Sequence, residues 1–174
     1  MSTAANSESN KQDLTPVRTI LVSQPQPERS PFARLEKKYN LKIDWRQFIE
    51  VQGLTEKEFR KERIRPDEFS AIIFTSKQAI EHFFRLCKAM RIEMSQETKY
   101  YCMTEAIANY LQKFIVYRKR KVFFSQRTIQ HLAPTLKKHR SKEKFLLPTG
   151  NLGAAFVSKY MDDNNFDWQP ALMY

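Results

Sequence analysis

The hexad Ala71-Ile72-Ile73-Phe74-Thr75-Ser76 constrains this chain more than any other passage. A run this short, apolar throughout and ended abruptly by hydroxyls, fits a strand buried on both faces, the kind found where helices cover both sides of a parallel sheet. The residues after it agree. Ala79, Ile80, Phe83, Phe84 and Cys87 recur at helical spacing and make one apolar stripe. The alternation then continues with a strand at Tyr100–Met103, a helix over Glu105–Phe114 and a strand at Val122–Phe124. Ile115-Val116-Tyr117 offers a further short strand before the last of these. A helix over Thr128–His139 follows, with Pro134 inside it, so it is kinked or starts late. A strand at Phe145–Leu147 and a helix over Asn151–Met161 complete this series.

Upstream, Thr19–Val22 reads as a strand and Ser30-Pro31 as the start of a helix with Phe32, Leu35 and Tyr39 on one face. Lys42–Val51 is a second strand, broken by Gly53. Thr55 and Glu58 have the spacing of a capping box at the head of a helix reaching Arg65. Strands alternating with helices through short connections predict the α/β class, with doubly wound parallel sheets.

Of the 174 residues, 41% are hydrophobic and 28% charged, which suits a buried core and argues against wholesale disorder. Only residues 1–18, rich in Ser, Asn, Ala and Thr, read as a disordered tail. A net charge of +11 favours polyanions, whether nucleic acid, a phosphorylated ligand or a polycarboxylate. Cys87 and Cys102 lie in or beside apolar segments and read as buried thiols. Without an apolar leader or a run long enough to span a bilayer, the expectation is a cytoplasmic protein with no membrane partner.

Open parallel sheets bind ligands beyond the carboxyl ends of their strands, where helix amino termini also point. From Ala71 onward every such junction carries a hydroxyl. Thr75, Ser76 and Lys77 follow one strand and Thr104 the next. Ser125, Gln126, Arg127 and Thr128 come third, and Thr149, Gly150 and Asn151 last. Free backbone N–H groups and helix dipoles at such turns suit carboxylates or phosphates. Ser and Thr are also ordinary helix caps, so each residue taken singly has a purely structural reading.

Other constellations are excluded or bland. His82, His131 and His139 lack metal-ligand spacing with the cysteines. Asp162-Asp163 reads as a solvated turn. Three glycines cannot supply a dinucleotide-binding or phosphate-binding glycine loop, and no nucleophile elbow is present. No metal and no cofactor is expected. The basic runs Arg118–Lys121 and Lys137–Arg140 read as solvated faces.

Three passages, in order, carry a resemblance. They are Ile20-Leu21-Val22-Ser23-Gln24-Pro25, Ile72-Ile73-Phe74-Thr75-Ser76-Lys77-Gln78-Ala79-Ile80, and Leu146-Leu147-Pro148-Thr149-Gly150-Asn151-Leu152. Together they resemble the uroporphyrinogen-III synthase family, whose chains open on a strand of the I-L-V-T-R-P type, later enter F-T-S-x-x-A-V, and then reach an L-L-P/R-x-G-N/D turn before a strand ending in V-Y-x-T. The chain departs from the family at Met103-Thr104-Glu105-Ala106-Ile107, where a G-x-x-T-A turn is usual. Here the glycine is absent, Ala106 holds the usual threonine place, and Thr104 is the stand-in.

The resemblance implies two α/β domains, the first discontinuous. Residues 19–50 would be its opening strand-helix-strand, 51–168 the inserted and complete second domain, and 169–174 the start of a strand returning to the first, which is then only partly present. It implies a hydro-lyase that cyclises hydroxymethylbilane, a linear tetrapyrrole with eight carboxylates, to uroporphyrinogen III in haem biosynthesis. The last pyrrole ring is inverted and water is lost. Thr75, Ser76, Thr104, Ser125, Thr149, Gly150 and Asn151 would bind substrate, and Tyr174, matching the tyrosine of V-Y-x-T, would be catalytic. The intact protein is expected to be a monomer without a nucleic-acid partner, and the chain ending at Tyr174 to be inactive alone. The alternative is a non-catalytic basic α/β module that binds nucleic acid or a phosphorylated ligand.

Overall fold

The computed structural model describes residues 15–126 and 128–174, so most of the expected tail and Arg127 lie outside the described residues. The chain divides into two compact units, Met1–Val51 and Gln52–Tyr174. Both have the α/β character that the alternation predicts.

In the first unit, β1 (Thr19–Val22) and β2 (Lys42–Trp45) pair in parallel, joined through α1 (Ala33–Tyr39). α1 begins after Ser30-Pro31 rather than at Pro31. Ser30 Oγ accepts from Phe32 N–H at 3.2 Å in a preceding turn. Asn40 ends the helix in the left-handed region at φ 50°, a conformation Asn tolerates. β2 is shorter than the Lys42–Val51 expected. Its last ladder bond runs from Arg46 N–H to the Val22 carbonyl at 2.9 Å. Beyond that point the partner strand turns away through Ser23-Gln24-Pro25, leaving residues 46–50 without a ladder to join.

The second unit is a five-stranded, all-parallel sheet in the order β5-β4-β3-β6-β7. Its strands are β3 (Ala71–Phe74), β4 (Lys99–Cys102), β5 (Val122–Phe124), β6 (Phe145–Thr149) and β7 (Trp168–Leu172). The connecting helices are α3 (Lys77–Ala89), α4 (Glu105–Leu111), α5 (Ile129–His139) and α6 (Ala155–Asp163), and a short α2 (Glu56–Phe59) precedes β3. All four β3 residues are fully buried. The chain moves from β3 outward to β5, then crosses back to β6 and β7. Right-handed crossovers therefore place α3 and α4 on one face and α5 and α6 on the other.

Several expected elements change at their ends for local reasons. The helix expected to reach Arg65 stops at Phe59. The capping box of Thr55 and Glu58 is present, but a 3-10 turn over Arg60–Glu62 and Arg63 at φ 54° end it. Ile115–Tyr117 forms no strand. α6 starts at Ala155, because Gly153 N–H bonds the Gly150 carbonyl at 2.9 Å with Gly153 at φ 66°, a turn that delays the helix. α5 retains Pro134 within it. β7 takes in the first of residues 169–174 and pairs with β6 from Phe145↔Trp168 to Thr149↔Leu172. Pro170 is accommodated because β7 is an edge strand.

Candidate active site

The strand order creates one topological switch point. β3 sends its chain toward β4 and β6 sends its chain toward β7, so the crevice between their carboxyl ends is where such a sheet accepts a ligand. The two strands also part there. β3 pairs with β6 only at Ala71↔Phe145 and Ile72↔Leu146, and two residues later Pro148 has no N–H to extend a ladder.

Tyr174 closes over this crevice. After β7, Met173 N–H donates to the Thr149 carbonyl at 2.9 Å, and the Tyr174 carbonyl accepts from Asn151 N–H at 3.0 Å. The phenol reaches across to β3, where its oxygen lies 3.1 Å from Ser76 Oγ. Ser76 is the N-cap of α3, and the same Oγ accepts from Ala79 N–H at 3.0 Å. That cap uses one lone pair, so Ser76 can either donate to the Tyr174 oxygen, leaving the phenol proton for a ligand, or accept from it. Gly150 makes the crossing possible. A Cβ there would stand 2.8 Å from Tyr174 Cε2 and 3.1 Å from the Tyr174 carbonyl oxygen.

The other hydroxyls take different places on the same edge. Thr75 is half-buried at the end of β3. Thr149 is 8% exposed, and its Oγ1 donates to the Gly150 carbonyl at 3.3 Å. Asn151 is exposed. Thr104 caps α4 by accepting from Ile107 N–H at 3.3 Å, and it sits beside β3 because Met103 N–H bonds the Phe74 carbonyl at 3.0 Å. Ser125 is 4% exposed, and its Oγ donates to the Met103 carbonyl at 2.7 Å. The structure thus gathers Ser76, Thr149, Gly150, Asn151 and Tyr174 at the switch point, with Thr75 and Thr104 alongside and Ser125 facing inward one strand further on.

Two neighbours were not among the residues expected from sequence. The His82 ring stacks on Tyr174 with centroids 4.9 Å apart and planes 21° from parallel. Arg85 Nη2 donates to the Leu54 carbonyl at 2.7 Å and lies 3.4 Å from His82 Nδ1. Gly53 allows this approach, since a Cβ there would meet His82 Nδ1 at 2.4 Å. Leu54 N–H in turn bonds the Met173 carbonyl at 2.8 Å. Burial, then the adjacent Arg85 cation, lowers the His82 pKa against a weaker pull from Glu81, which favours the neutral ring on Tyr174. His82 lies on the helix that Ser76 caps, a relation visible in sequence, but nothing local announced that both side chains meet the chain after β7. Among the described residues no cluster of His, Cys, Asp and Glu could hold a metal. No helix among them is long and apolar enough to cross a membrane.

The family model described as Uroporphyrinogen-III synthase HemD matches residues 47–174. The chain belongs to the uroporphyrinogen-III synthase family. Solved structures agree at the level of the fold. A mutant uroporphyrinogen III synthase from the extremely thermophilic bacterium Thermus thermophilus superposes with a TM-score of 0.65 at 11% identity, over 90% of this chain and 61% of that one. The uroporphyrinogen-III synthetase of Helicobacter pylori gives 0.51 at 17% identity, over 90% and 60%. The chain therefore spans about three fifths of the length of these uroporphyrinogen-III synthases. No curated protein sequence matches it.

Proposed function

We propose that this protein acts as a uroporphyrinogen-III synthase on hydroxymethylbilane, and that the carboxyl edge of the five-stranded sheet forms the substrate-facing wall of its site. The observation that carries this reading is the contact of Tyr174 with Ser76 over the β3–β6 crevice. In this proposal the turns after β3, β4 and β6 receive substrate carboxylates through backbone N–H groups and the hydroxyls of Thr75, Ser76, Thr104 and Thr149, with Gly150 and Asn151 shaping the last turn. Ser125 braces the β4–β5 ends through Met103. Neutral donors suit a polycarboxylate that must be held in one fold and then released as a ring, because the chemistry is mainly positioning.

The phenol of Tyr174 gives its proton to the terminal hydroxyl as the C–O bond breaks, so the hydroxyl leaves as water, and the phenolate recovers a proton when the attacked pyrrole loses one after closure. The last ring then closes through a spiro intermediate with inversion. The protein works as a monomer in the cytoplasm, and this step needs no metal or organic cofactor from it.

Product analysis tests the reading. Incubated with hydroxymethylbilane, the protein should give the type III isomer in excess of the type I ring that forms spontaneously. Type I alone would remove the enzyme reading and leave a non-catalytic binding module. Ser76→Ala and Thr149→Ala should each weaken tetrapyrrole binding about ten- to hundredfold, the loss of one hydrogen bond to a charged group. Titrations that match the parent would reduce both hydroxyls to helix and turn supports.

A further inference from the structure

A cavity of about 380 Å³ lies in the same unit at the opposite end of the sheet from the switch point, by the amino ends of β4 and β5. Its apolar walls include Phe84, Met94, Tyr100, Phe114 and Ile115. Phe84 and Phe114 stack on each other with centroids 5.1 Å apart and planes 14° from parallel, which gives this wall an aromatic pair. Burial pushes the Cys87 thiol in this wall up to about 12, as an apolar, poorly hydrated lining should. The volume falls in the range of small-molecule sites, which are mostly apolar with a few placed polar groups.

Two polar features in this lining have little structural employment. Thr98 is 2% exposed, and its Oγ1 has no hydrogen-bond partner. A buried hydroxyl left unpaired is destabilising, which makes its retention here notable. Arg118 hydrogen-bonds the neutral Gln96 Oε1 at 3.0 Å and meets the Glu97 carboxylate, whose ion pair is with Lys121, only as a weaker charge interaction. Lys121 lines the cavity too, but Glu97 already neutralises it. Glu93 is the one carboxylate in the lining. Arg118 and Lys121 begin and end the basic run Arg118–Lys121, so at least part of that run borders a cavity instead of lying on an open face.

We propose that this cavity is a binding site for a small, flat aromatic anion, its ring system against Phe84 and Phe114, its charge on Arg118 and a polar atom on Thr98 Oγ1. The site is separate from the switch-point crevice, so the proposal stands whether or not the chain takes part in tetrapyrrole closure. Charge selects the class. A neutral aromatic would leave Arg118 unused, and the apolar Phe84, Met94 and Ile115 walls offer the phosphates of a polyanion such as nucleic acid no partner.

The dye 8-anilinonaphthalene-1-sulfonate, an aromatic body with one sulfonate, is the probe, and N-phenyl-1-naphthylamine is its neutral congener. With the full chain, the sulfonate should bind saturably with one-to-one stoichiometry. Amide NMR shifts should be confined to residues 84–87, 92–100 and 114–122. Arg118→Gln should weaken binding about tenfold or more, the scale of a charge-assisted hydrogen bond. Thr98→Val should also weaken it while leaving the melting temperature of the free protein equal or higher, because the hydroxyl makes no bond in the unliganded fold. A Thr98→Val protein that melts lower would assign the hydroxyl a structural role and overturn its part in the site. Equal affinity for the neutral congener, no effect of Arg118→Gln, or shifts elsewhere would overturn the site itself.

Discussion

Gly150 shows how little space separates a working arrangement from a blocked one. A single methyl there would press on the Tyr174 ring and on its carbonyl. The ring is also held by the His82 stack and the Ser76 contact, so it cannot simply turn aside. Gly150→Ala should therefore push the phenol away from Ser76, while the sheet, whose ladders lie below, stays folded. The aromatic side-chain NMR signals of Tyr174 and His82 should move together. In the proposed reaction, type III formation should fall with little change in melting temperature. Unchanged ring signals would show that the turn after β6 can absorb the methyl.

At the scale of elements, a titratable contact ties α5 to β4. The Tyr101 hydroxyl on β4 lies 2.6 Å from His139 Nδ1 in the last turn of the helix. Burial lowers the His139 pKa, with Lys99, Lys138 and Lys142 acting in the same direction and Glu143 against them. A histidine with a lowered folded-state pKa favours folding in its neutral form. Its contribution is complete above the unfolded value of about 6.5 and is lost as pH falls through the lower folded value. His82 acts with the same sign. Urea midpoints should thus decline as pH drops from about 7 toward 5, and His139→Gln should flatten the decline. A variant as pH-sensitive as the parent would shift the effect to His82.

At the scale of the molecule, the two units differ in what they bury. The second has a continuous core built on β3, with Ile72, Ile73 and Phe74 fully buried. In the first, no described residue is buried, and two strands with one short helix make too small a sheet to be stable by themselves. Hydrogen exchange should reflect this, with strong protection at Ile72–Phe74 and fast exchange at Ile20–Val22. Equal protection of β1 and β3 would mean that the first unit gains burial from a partner surface.

Local chemistry decides much of this protein before tertiary contacts enter. The apolar hexad ending at Ser76 specified the central strand, and the stripe from Ala79 to Cys87 its helix. The strand-end hydroxyls were legible because helix caps and anion-binding turns draw on the same few residue types. Element ends were less legible. β2 stops where its partner turns away, and α6 waits for a glycine turn, since both boundaries depend on a neighbour or on a backbone angle that composition does not carry. The site itself was a tertiary decision. Only the order β5-β4-β3-β6-β7 makes β3 and β6 adjacent, and only that adjacency lets Tyr174 meet a serine 98 positions away in sequence. His82 became part of the site for the same reason. Periodicity determines which face a residue occupies, but only the packed chain determines what that face meets.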